Sequence, residues 1–255
     1  MSQTNSDSKI KFLKAVVISK EKIAGHTYHL KVRGDDIKSI DYTPGMHMKV
    51  AVQWSDDSLQ DVKLRSYSIW DFDSDKGTID IAVCTHSNGL GSKWIEEVEA
   101  GDDFYFFLKK TLVADNSAGN YFFIGDISTL GHFYKVRRAL SPDKKVFSFV
   151  SGNETDFFSD LDGSKPFDFY MLPSDKHLPA PIEFLKEKIT ETLNTLHQKS
   201  AENTNSLRNE SFIAYIGGDA RVCAELTAFF TRKLGWHPSQ IKMKSFWNPD
   251  KVREE

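Results

Sequence analysis

The sequence predicts two domains in series, a six-stranded antiparallel β-barrel followed by a doubly wound α/β domain. Residues 9–112 contain six short runs of alternating apolar and polar residues at roughly ten-residue spacing, which is typical of a small barrel. After residue 119 the pattern changes to strands that alternate with helices, which indicates a parallel sheet with helices on its faces. We therefore place the barrel domain at residues 9–115 and the α/β domain at residues 116–255.

Turn-forming residues bound each predicted strand of the barrel. Pro44-Gly45 and Gly101-Asp102 are examples of such turns. Only GSKWIEEVEA reads as a helix in this half. The six strands are predicted within KFLKAVVISKEKI, HTYHLKVRG, MHMKVAVQW, LRSYSIWDFD, GTIDIAVCTH and DDFYFFLKK.

In the second half, strand YFFIGD leads into helix STLGHFYKVRRAL and then into strand KKVFSFVSG. Strand FDFYML, a helix at about residues 181–197, strand ESFIAYIGG, a helix at residues 219–234 and strand IKMKSFW complete the domain. The polar segment 198–210 lacks periodicity, so we predict a mobile connection there and assign it no function.

Composition limits the function classes. The chain has 255 residues, of which 40% are hydrophobic, and its formal charge of -3 favours neither nucleic acid nor an anionic membrane as a partner. The start of the chain has no apolar signal segment and the sequence has no membrane-length apolar run, so we expect a cytoplasmic protein. The two cysteines, Cys84 and Cys223, are too few for a typical iron-sulfur cluster and are expected to be buried reduced thiols. No exposed apolar stripe is evident, and a monomer is expected.

The stretch LRSYSIW places an arginine and a tyrosine on one face of a strand. Arg65 and Tyr67 share that face because side chains alternate along a strand, while Ser68 points to the other. Arginine can clamp a phosphate and tyrosine can lie against a planar ring, which suits a flavin nucleotide. A solvated arginine beside a cross-strand aromatic is the alternative interpretation.

A second motif, HSNGLGSKW, places two glycines and a serine at the start of the predicted helix. Backbone amides at a helix N-terminus, approached closely at Gly89 and Gly91, form an anion site that suits a pyrophosphate. Ser92 can cap the helix or bond a phosphate oxygen. Simple capping without a ligand is the alternative.

Together these motifs resemble those of the siderophore-interacting proteins, which are flavin-dependent ferric-siderophore reductases of the ferredoxin-NADP reductase superfamily. The resemblance runs along nearly the whole chain, through GMHMKV, RSYS, HSNGLGSKW, FIGDISTLGH, YIGGDARV and the terminal SFW. It implies that the barrel binds FAD, that NAD(P)H or a ferredoxin donates electrons, and that a ferric siderophore accepts them. The chemistry would then take place on the flavin, without a catalytic side chain or a resident metal.

The resemblance also implies roles for individual residues. Arg65 would bind the flavin diphosphate, Tyr67 would pack against the ring system, and Ser68 would bond near N5 or O4. His86 would lie beside the cofactor, although a buried histidine bonded to backbone is equally compatible with the sequence. The predicted cofactor-binding residues are Arg65, Ser66, Tyr67, Ser68, His86, Gly89, Leu90, Gly91, Ser92, Asp126, Ser128, Gly217, Gly218 and Asp219.

In the second domain, the same resemblance places Asp126 and Ser128 at the seam between the domains. Gly217, Gly218 and Asp219 would line the approach of the nicotinamide nucleotide, at the glycine-rich end of a strand that leads into a helix. For an anionic siderophore, the implied contacts are Lys49, Lys109, Lys110 and Lys244. A solvated charged surface is the alternative for these lysines.

Several positions depart from the family pattern. Phe246-Trp247-Asn248 replaces a Tyr-Trp-Arg segment and removes one expected cation, and KKTLVAD replaces a Gly-Pro-Arg-Gly turn. The acidic segment 151–156 makes NADH or a ferredoxin at least as suitable a donor as NADPH. Two other functions stay open, a flavoprotein reductase that serves a ferredoxin-like protein and a binding module without redox chemistry.

Overall fold

The computed structural model describes residues 11–55, 61–85, 89–166, 182–202 and 211–248, and it has the predicted fold class. Six antiparallel strands close a barrel in the order β1-β2-β5-β4-β3-β6. Their bounds are β1 (Leu13–Ala24), β2 (Thr27–Arg33), β3 (His47–Gln53), β4 (Lys63–Asp73), β5 (Thr78–Cys84) and β6 (Asp103–Lys109).

The barrel interior is filled because apolar residues alternate along its strands. On β3, Met48, Val50 and Val52 are buried in the barrel core, while Lys49 between them points outward. The predicted helix is α2 (Leu90–Glu97). A short helix that was not predicted, α1 (Asp35–Lys38), forms instead of a simple turn and buries Ile37.

The second domain is a parallel sheet in the order β10-β9-β7-β8. Its strands are β7 (Asn120–Asp126), β8 (Lys145–Ser151), β9 (Phe212–Asp219) and β10 (Ile241–Trp247). Every residue of β9 is buried, as expected for a strand covered on both faces. The predicted boundary at residues 115 and 116 falls between β6 and β7.

Helices cover both faces of this sheet. Helix α3 (Leu130–Ala139) shares a core cluster with Tyr121 and Phe123, whereas α4 (Ile182–Glu202) and α5 (Ala220–Ala228) share another with Phe122 and Ile124. The alternation along β7 therefore separates the two layers, which confirms the doubly wound prediction. No helix among the described residues is long and apolar enough to cross a membrane.

The polar segment 198–210 was predicted to be a mobile connection, and this is wrong for its first part. Helix α4 continues to Glu202 because this stretch is rich in good helix formers, among them glutamine, lysine and alanine. Residues 203–210 and the predicted strand FDFYML lie outside the described residues.

Both cysteines are free thiols. Cys223 is buried as predicted, but Cys84 is only half-buried, at the end of β5. Burial raises the pKa of each thiol to about 12, so both stay protonated at neutral pH.

A group of polar side chains docks the two domains together on β4. Asp160 accepts hydrogen bonds from the Trp70 indole Nε1 at 2.8 Å and from Arg138 Nη1 at 3.0 Å. Arg138 also donates to the Trp70 carbonyl, and Lys135 of α3 reaches Asp71 of β4 at 2.6 Å. The outer face of β4 is thus held against α3.

Asp80 on β5 carries a buried carboxylate bonded to His29 Nε2 at 2.6 Å and to Lys31 Nζ at 3.0 Å. Burial alone would raise its pKa, but the bonds from His29 and Lys31 outweigh burial and hold the pKa below its usual value. Stability from this carboxylate is therefore present at neutral pH and is lost as the pH falls through the folded-state pKa.

We expect Asp80→Asn to lower the free energy of unfolding at pH 7 by about 1–2 kcal/mol, because it removes charge-assisted hydrogen bonds. The difference from wild type should shrink below about pH 4, where Asp80 of the unfolded chain begins to bind a proton, and should vanish as the pH falls through the lower pKa of the folded protein. Urea denaturation at pH 7 and below pH 4 measures this difference in unfolding free energy, and Asp75→Asn, at an exposed position, is the control. A deficit that does not change with pH would contradict the assignment.

Candidate flavin site and interdomain cleft

The LRSYSIW stretch forms the centre of β4 and presents its two faces as predicted. Tyr67 and Ile69 pack with the barrel core, while Trp70 belongs to the core of the second domain. Ser68 points with Trp70 toward the domain seam, where its hydroxyl lies 3.2 Å from His47 Nε2. One strand thus serves the barrel with one face and the cleft with the other.

Arg65 and Tyr67 lie against the N-terminal end of α2. A Cβ atom on Gly91 would stand 2.6 Å from the Tyr67 hydroxyl and 3.4 Å from Arg65 Cγ, so only glycine permits this approach. Gly89 is the N-cap of α2 and provides no side chain to cap it. The structure therefore brings together an arginine, a tyrosine hydroxyl and a helix N-terminus whose N-cap residue has no side chain.

The remaining residues of this helix start have other surroundings. Ser92 is not the helix cap, because it is the third residue of α2, is itself buried, and its amide donates to the Gly89 carbonyl at 2.9 Å. Leu90 packs against the barrel core. His86 lies outside the described residues.

The Tyr67 ring stacks on Trp94 of α2, with centroids 5.7 Å apart and an interplanar angle of 28°. Burial raises the pKa of the phenol, so its hydroxyl stays protonated at neutral pH and can donate a hydrogen bond.

A hydrogen-bonded chain stands behind Ser68. His47 Nδ1 lies 3.2 Å from both the carbonyl and the hydroxyl of Thr111, and its Nε2 faces Ser68. Since a carbonyl can only accept, Nδ1 carries the proton and Ser68 donates to Nε2. The lone pairs of the Ser68 oxygen are then left for another donor.

His47 meets a second buried histidine across the seam. His132 of α3 is fully buried, and its ring centroid lies 5.0 Å from that of His47. Among the described residues, neither ring nitrogen of His132 has a hydrogen-bond partner. Phe246 of β10 packs edge-on against both rings. Sequence reasoning missed this pair because only the docking of the domains brings its members together, although His47 stands two residues before the predicted Lys49.

Three of the four predicted substrate lysines converge at this seam. In the strand register, Lys109 of β6 faces His47, and Lys49 of β3 faces Ser66. Burial, the charge of Lys109 and the charge of Arg65 lower the pKa of Lys49, and burial and the charge of Lys49 lower that of Lys244 on β10. The three ammonium groups form no ion pair within the part of the chain that the structure describes.

The fourth predicted lysine has a different position. Lys110 follows β6 and pairs with Asp41 at 3.5 Å, and both side chains are exposed. We refer below to Lys49, Lys109 and Lys244 as the lysine cluster, and to Lys110 as outside it.

Asp126 ties together three strand ends at the carboxyl edge of the sheet. Its Oδ1 accepts from the Ser128 amide at 2.9 Å, and its Oδ2 accepts from the Asp219 amide at 3.1 Å and from Trp247 Nε1 at 2.8 Å. A Cβ atom on Gly218 would overlap this carboxylate, and the φ of Gly218, +100°, also favours glycine. These bonds make Asp126 a structural tie within the predicted nucleotide region.

Asp219 has a local role as well. Its carboxylate caps α5 by accepting from the Arg221 amide at 2.8 Å, and it pairs with the Arg221 guanidinium at 2.7 Å. Gly217 lies beside it at the end of β9. The nucleotide-binding roles predicted for these residues and for Ser128 stay predictions.

The acidic segment 151–156 does not present all of its acids to the cleft. Asp156 is buried against the barrel hairpin, where a Cβ on Gly25 would stand 2.6 Å from its Oδ1, while Glu154 is exposed. Of the two acids in this segment, only Glu154 is exposed and able to repel a nucleotide phosphate. The segment therefore disfavours the 2'-phosphate of NADPH less than its sequence indicates.

Comparison with known proteins agrees with this geometry. Residues 14–106 match the family model of the oxidoreductase FAD-binding domain. A siderophore utilization protein from T. fusca aligns over 94% of this chain and 93% of its own, with TM-score 0.71 and 18% identity. For the siderophore-interacting protein SipS from Aeromonas hydrophila the coverages are 93% and 98%, with TM-score 0.68 and 15% identity.

The ferredoxin-NADP+ reductase from Plasmodium falciparum is also similar, with coverages of 92% and 96%, TM-score 0.67 and 15% identity. No curated protein sequence gives a significant match. The class of the barrel is thus defined, because residues 14–106 match the FAD-binding domain of oxidoreductases. The two domains of the chain together have the fold of the siderophore-interacting proteins and the ferredoxin-NADP+ reductases.

The residues present fit FAD. Because Gly91 has no side chain, the start of α2 lies directly against the Tyr67 hydroxyl and beside Arg65, and such an arrangement of a cation, a hydroxyl and helix amides suits a diphosphate.

We expect Gly91→Ala to weaken FAD binding by at least about tenfold, since its methyl group must displace Tyr67 from the helix end. Fluorescence titration of the apoprotein with FAD measures the affinity. Gly119→Ala is the matched control, because its Cβ meets no atom within 4 Å. Equal losses in the two variants would argue against a diphosphate site at Gly91.

His47 generates a pH prediction. Burial, reinforced by the charges of Lys244 and Lys49, lowers its pKa to about 3, and burial beside His47 and Lys244 lowers the pKa of His132 as well. The unfolded chain therefore binds these protons first as the pH falls below about 6.5, and stability declines toward acid pH.

Replacing His47 by glutamine should make the unfolding free energy depend less steeply on pH, because one fewer proton is bound on unfolding. The slope should fall by up to about 1.4 kcal/mol per pH unit between pH 6 and pH 4. Denaturant midpoints across this range measure the slope. A variant whose slope equals that of wild type would show that His47 is not neutral in the folded protein.

Proposed function

We propose that this protein reduces ferric siderophores to release ferrous iron, as a cytoplasmic monomer that uses FAD and takes electrons from NADH, NADPH or a ferredoxin. The observation that carries the proposal is the lysine cluster, which gathers cations from both domains beside the strand that bears Arg65, Tyr67 and Ser68. Similarity of fold to the siderophore-interacting proteins supports the same conclusion.

In this proposal Arg65 and the amides at the start of α2 neutralise the diphosphate of FAD, and Tyr67 and Ser68 orient its ring system. Bound FAD would accept two electrons from the hydride donor and pass them on one at a time. One NAD(P)H then yields NAD(P)+, a proton and two electrons, which reduce two ferric ions to ferrous ions.

The lysine cluster gives the substrate its place. Each ammonium group is held near others of the same charge, which is unfavourable until an anion enters. An anionic ferric chelate relieves that repulsion. After reduction, the lower charge of ferrous iron weakens its bonds to the chelate oxygens, and the iron is released.

A protein partner is the second candidate. The fold shared with a ferredoxin-NADP+ reductase and the cationic seam also suit electron exchange with an acidic ferredoxin-like protein. The two candidates separate in a turnover assay, since a ferredoxin should saturate the rate in one case and a free ferric siderophore in the other. A colourless protein that does not bind FAD would favour a binding module without redox chemistry.

We expect Lys49→Ala and Lys244→Ala each to raise the KM for an anionic ferric chelate by about tenfold with a smaller change in kcat, because each removes a charge contact worth roughly 1.4 kcal/mol. Anaerobic stopped-flow absorbance, with NADH as reductant, follows the reaction.

The control for these variants is Lys76→Ala, which removes a cation from an exposed turn where it pairs with Asp73. If that control raises KM as much as the cleft variants do, the effect comes from overall charge and not from a site. Absence of any ferric reduction by the FAD-loaded protein would refute the proposed function itself.

A further inference from the structure

A strip of half-buried aromatic rings lies on the outer face of the barrel. The Phe12 ring meets those of Phe107 and Trp54 edge-on, with ring centroids 5.4 Å and 5.2 Å away. The Trp54 ring stacks on that of Tyr105, with centroids 4.0 Å apart and an interplanar angle of 11°. We call Phe12, Trp54, Tyr105 and Phe107 the aromatic shelf.

These rings point away from the barrel core. Along β6, Phe104 and Phe106 are buried inside the barrel, so Tyr105 and Phe107 stand on the opposite face with Lys109. Core packing therefore does not explain why this face is aromatic. Cross-strand pairing would explain part of it, since aromatic pairs stabilise sheets.

The shelf continues directly into the lysine cluster. Phe107 faces Lys49 in the register of β3 with β6, and the Lys109 ammonium lies over the Phe107 ring, 5.4 Å from its centroid. Phe107 therefore adjoins two of the three cations. A ligand held by those cations has an aromatic surface beside it.

We propose that the aromatic shelf is a specificity subsite of the substrate site and that it selects ferric chelates built from catecholates over those built from hydroxamates. The inference rests on the proposed function, because it assumes that the lysine cluster holds the ferric chelate.

Two properties of a catecholate chelate match the two parts of this surface. Each catecholate carries a flat aromatic ring, which can stack on Phe107 or meet the edges of Phe12 and Tyr105. Three dianionic catecholates around a ferric ion leave an excess of negative charge, whereas three hydroxamate groups leave a neutral complex. The lysine cluster therefore favours the catecholate by charge and the shelf favours it by shape.

The test measures binding without reduction. Gallium(III) replaces iron(III) in the complexes of 2,3-dihydroxybenzoate and of acetohydroxamate, because gallium has the same charge and is not reduced under these conditions. Calorimetric titration of the FAD-loaded protein gives both affinities. We expect the catecholate complex to bind at least about tenfold more tightly than the hydroxamate complex.

Variants assign that preference to the shelf. Phe107→Leu should weaken the catecholate complex by about fivefold and leave the hydroxamate complex unchanged, because it removes a ring but keeps an apolar side chain. Phe72→Leu is the matched control, because Phe72 is a half-buried aromatic residue of the same barrel that is not part of the aromatic shelf. Its ring stacks on that of Tyr42, with the ring centroids 4.4 Å apart. Denaturation of each variant reports any loss from cross-strand pairing alone.

Equal affinity for the two gallium complexes, or an equal effect of Phe107→Leu and Phe72→Leu, overturns the inference. If the iron(III) complexes are nevertheless reduced, the proposed function stands without a catecholate subsite. If no gallium complex binds and no ferric complex is reduced, the inference fails together with the proposed function.

Discussion

The site depends on the hydrogen-bonded ion pair of Arg138 with Asp160, which joins the two domains at Trp70. The Asp160 side chain is 1% exposed, and a charge at that depth needs partners, which the guanidinium and the indole supply. Trp70 is two residues from Ser68, so this pair also fixes how the outward face of β4 meets α3. The lysines of β3 and β6 can stand near Lys244 of β10 only because that docking is defined.

Two glycines, which have no side chain, determine the geometry of the site as much as its functional side chains do. Gly91 lets α2 reach the tyrosine of β4, and Gly218 lets the end of β9 reach the Asp126 carboxylate. Both are contacts between backbone and functional groups, and both place helix N-termini next to polar side chains. The two glycines belong to different domains but solve the same steric problem.

Local patterns predicted most of the fold and some of the side-chain positions at the candidate site. Alternation in LRSYSIW determined which side chains share a face, and the glycines of HSNGLGSKW predicted the approach to α2. The His47–His132 pair, the burial of Asp156 and the separation of Lys110 from the cluster depend on domain docking and loop paths, which periodicity does not encode. The extra turns of α4 followed from helix propensity, but the polarity of that stretch concealed them.

The lysine cluster also affects the chain as a whole. Its members come from both domains, so their mutual repulsion acts across the same seam that Arg138 and Asp160 hold closed. A multivalent anion bound there would act as an electrostatic cross-link between the domains, whereas a monovalent ion could neutralise only one cation. If the proposed substrate binds there, its charge and the cohesion of the two domains are coupled, and a highly charged ligand would stiffen the molecule while it occupies the cluster.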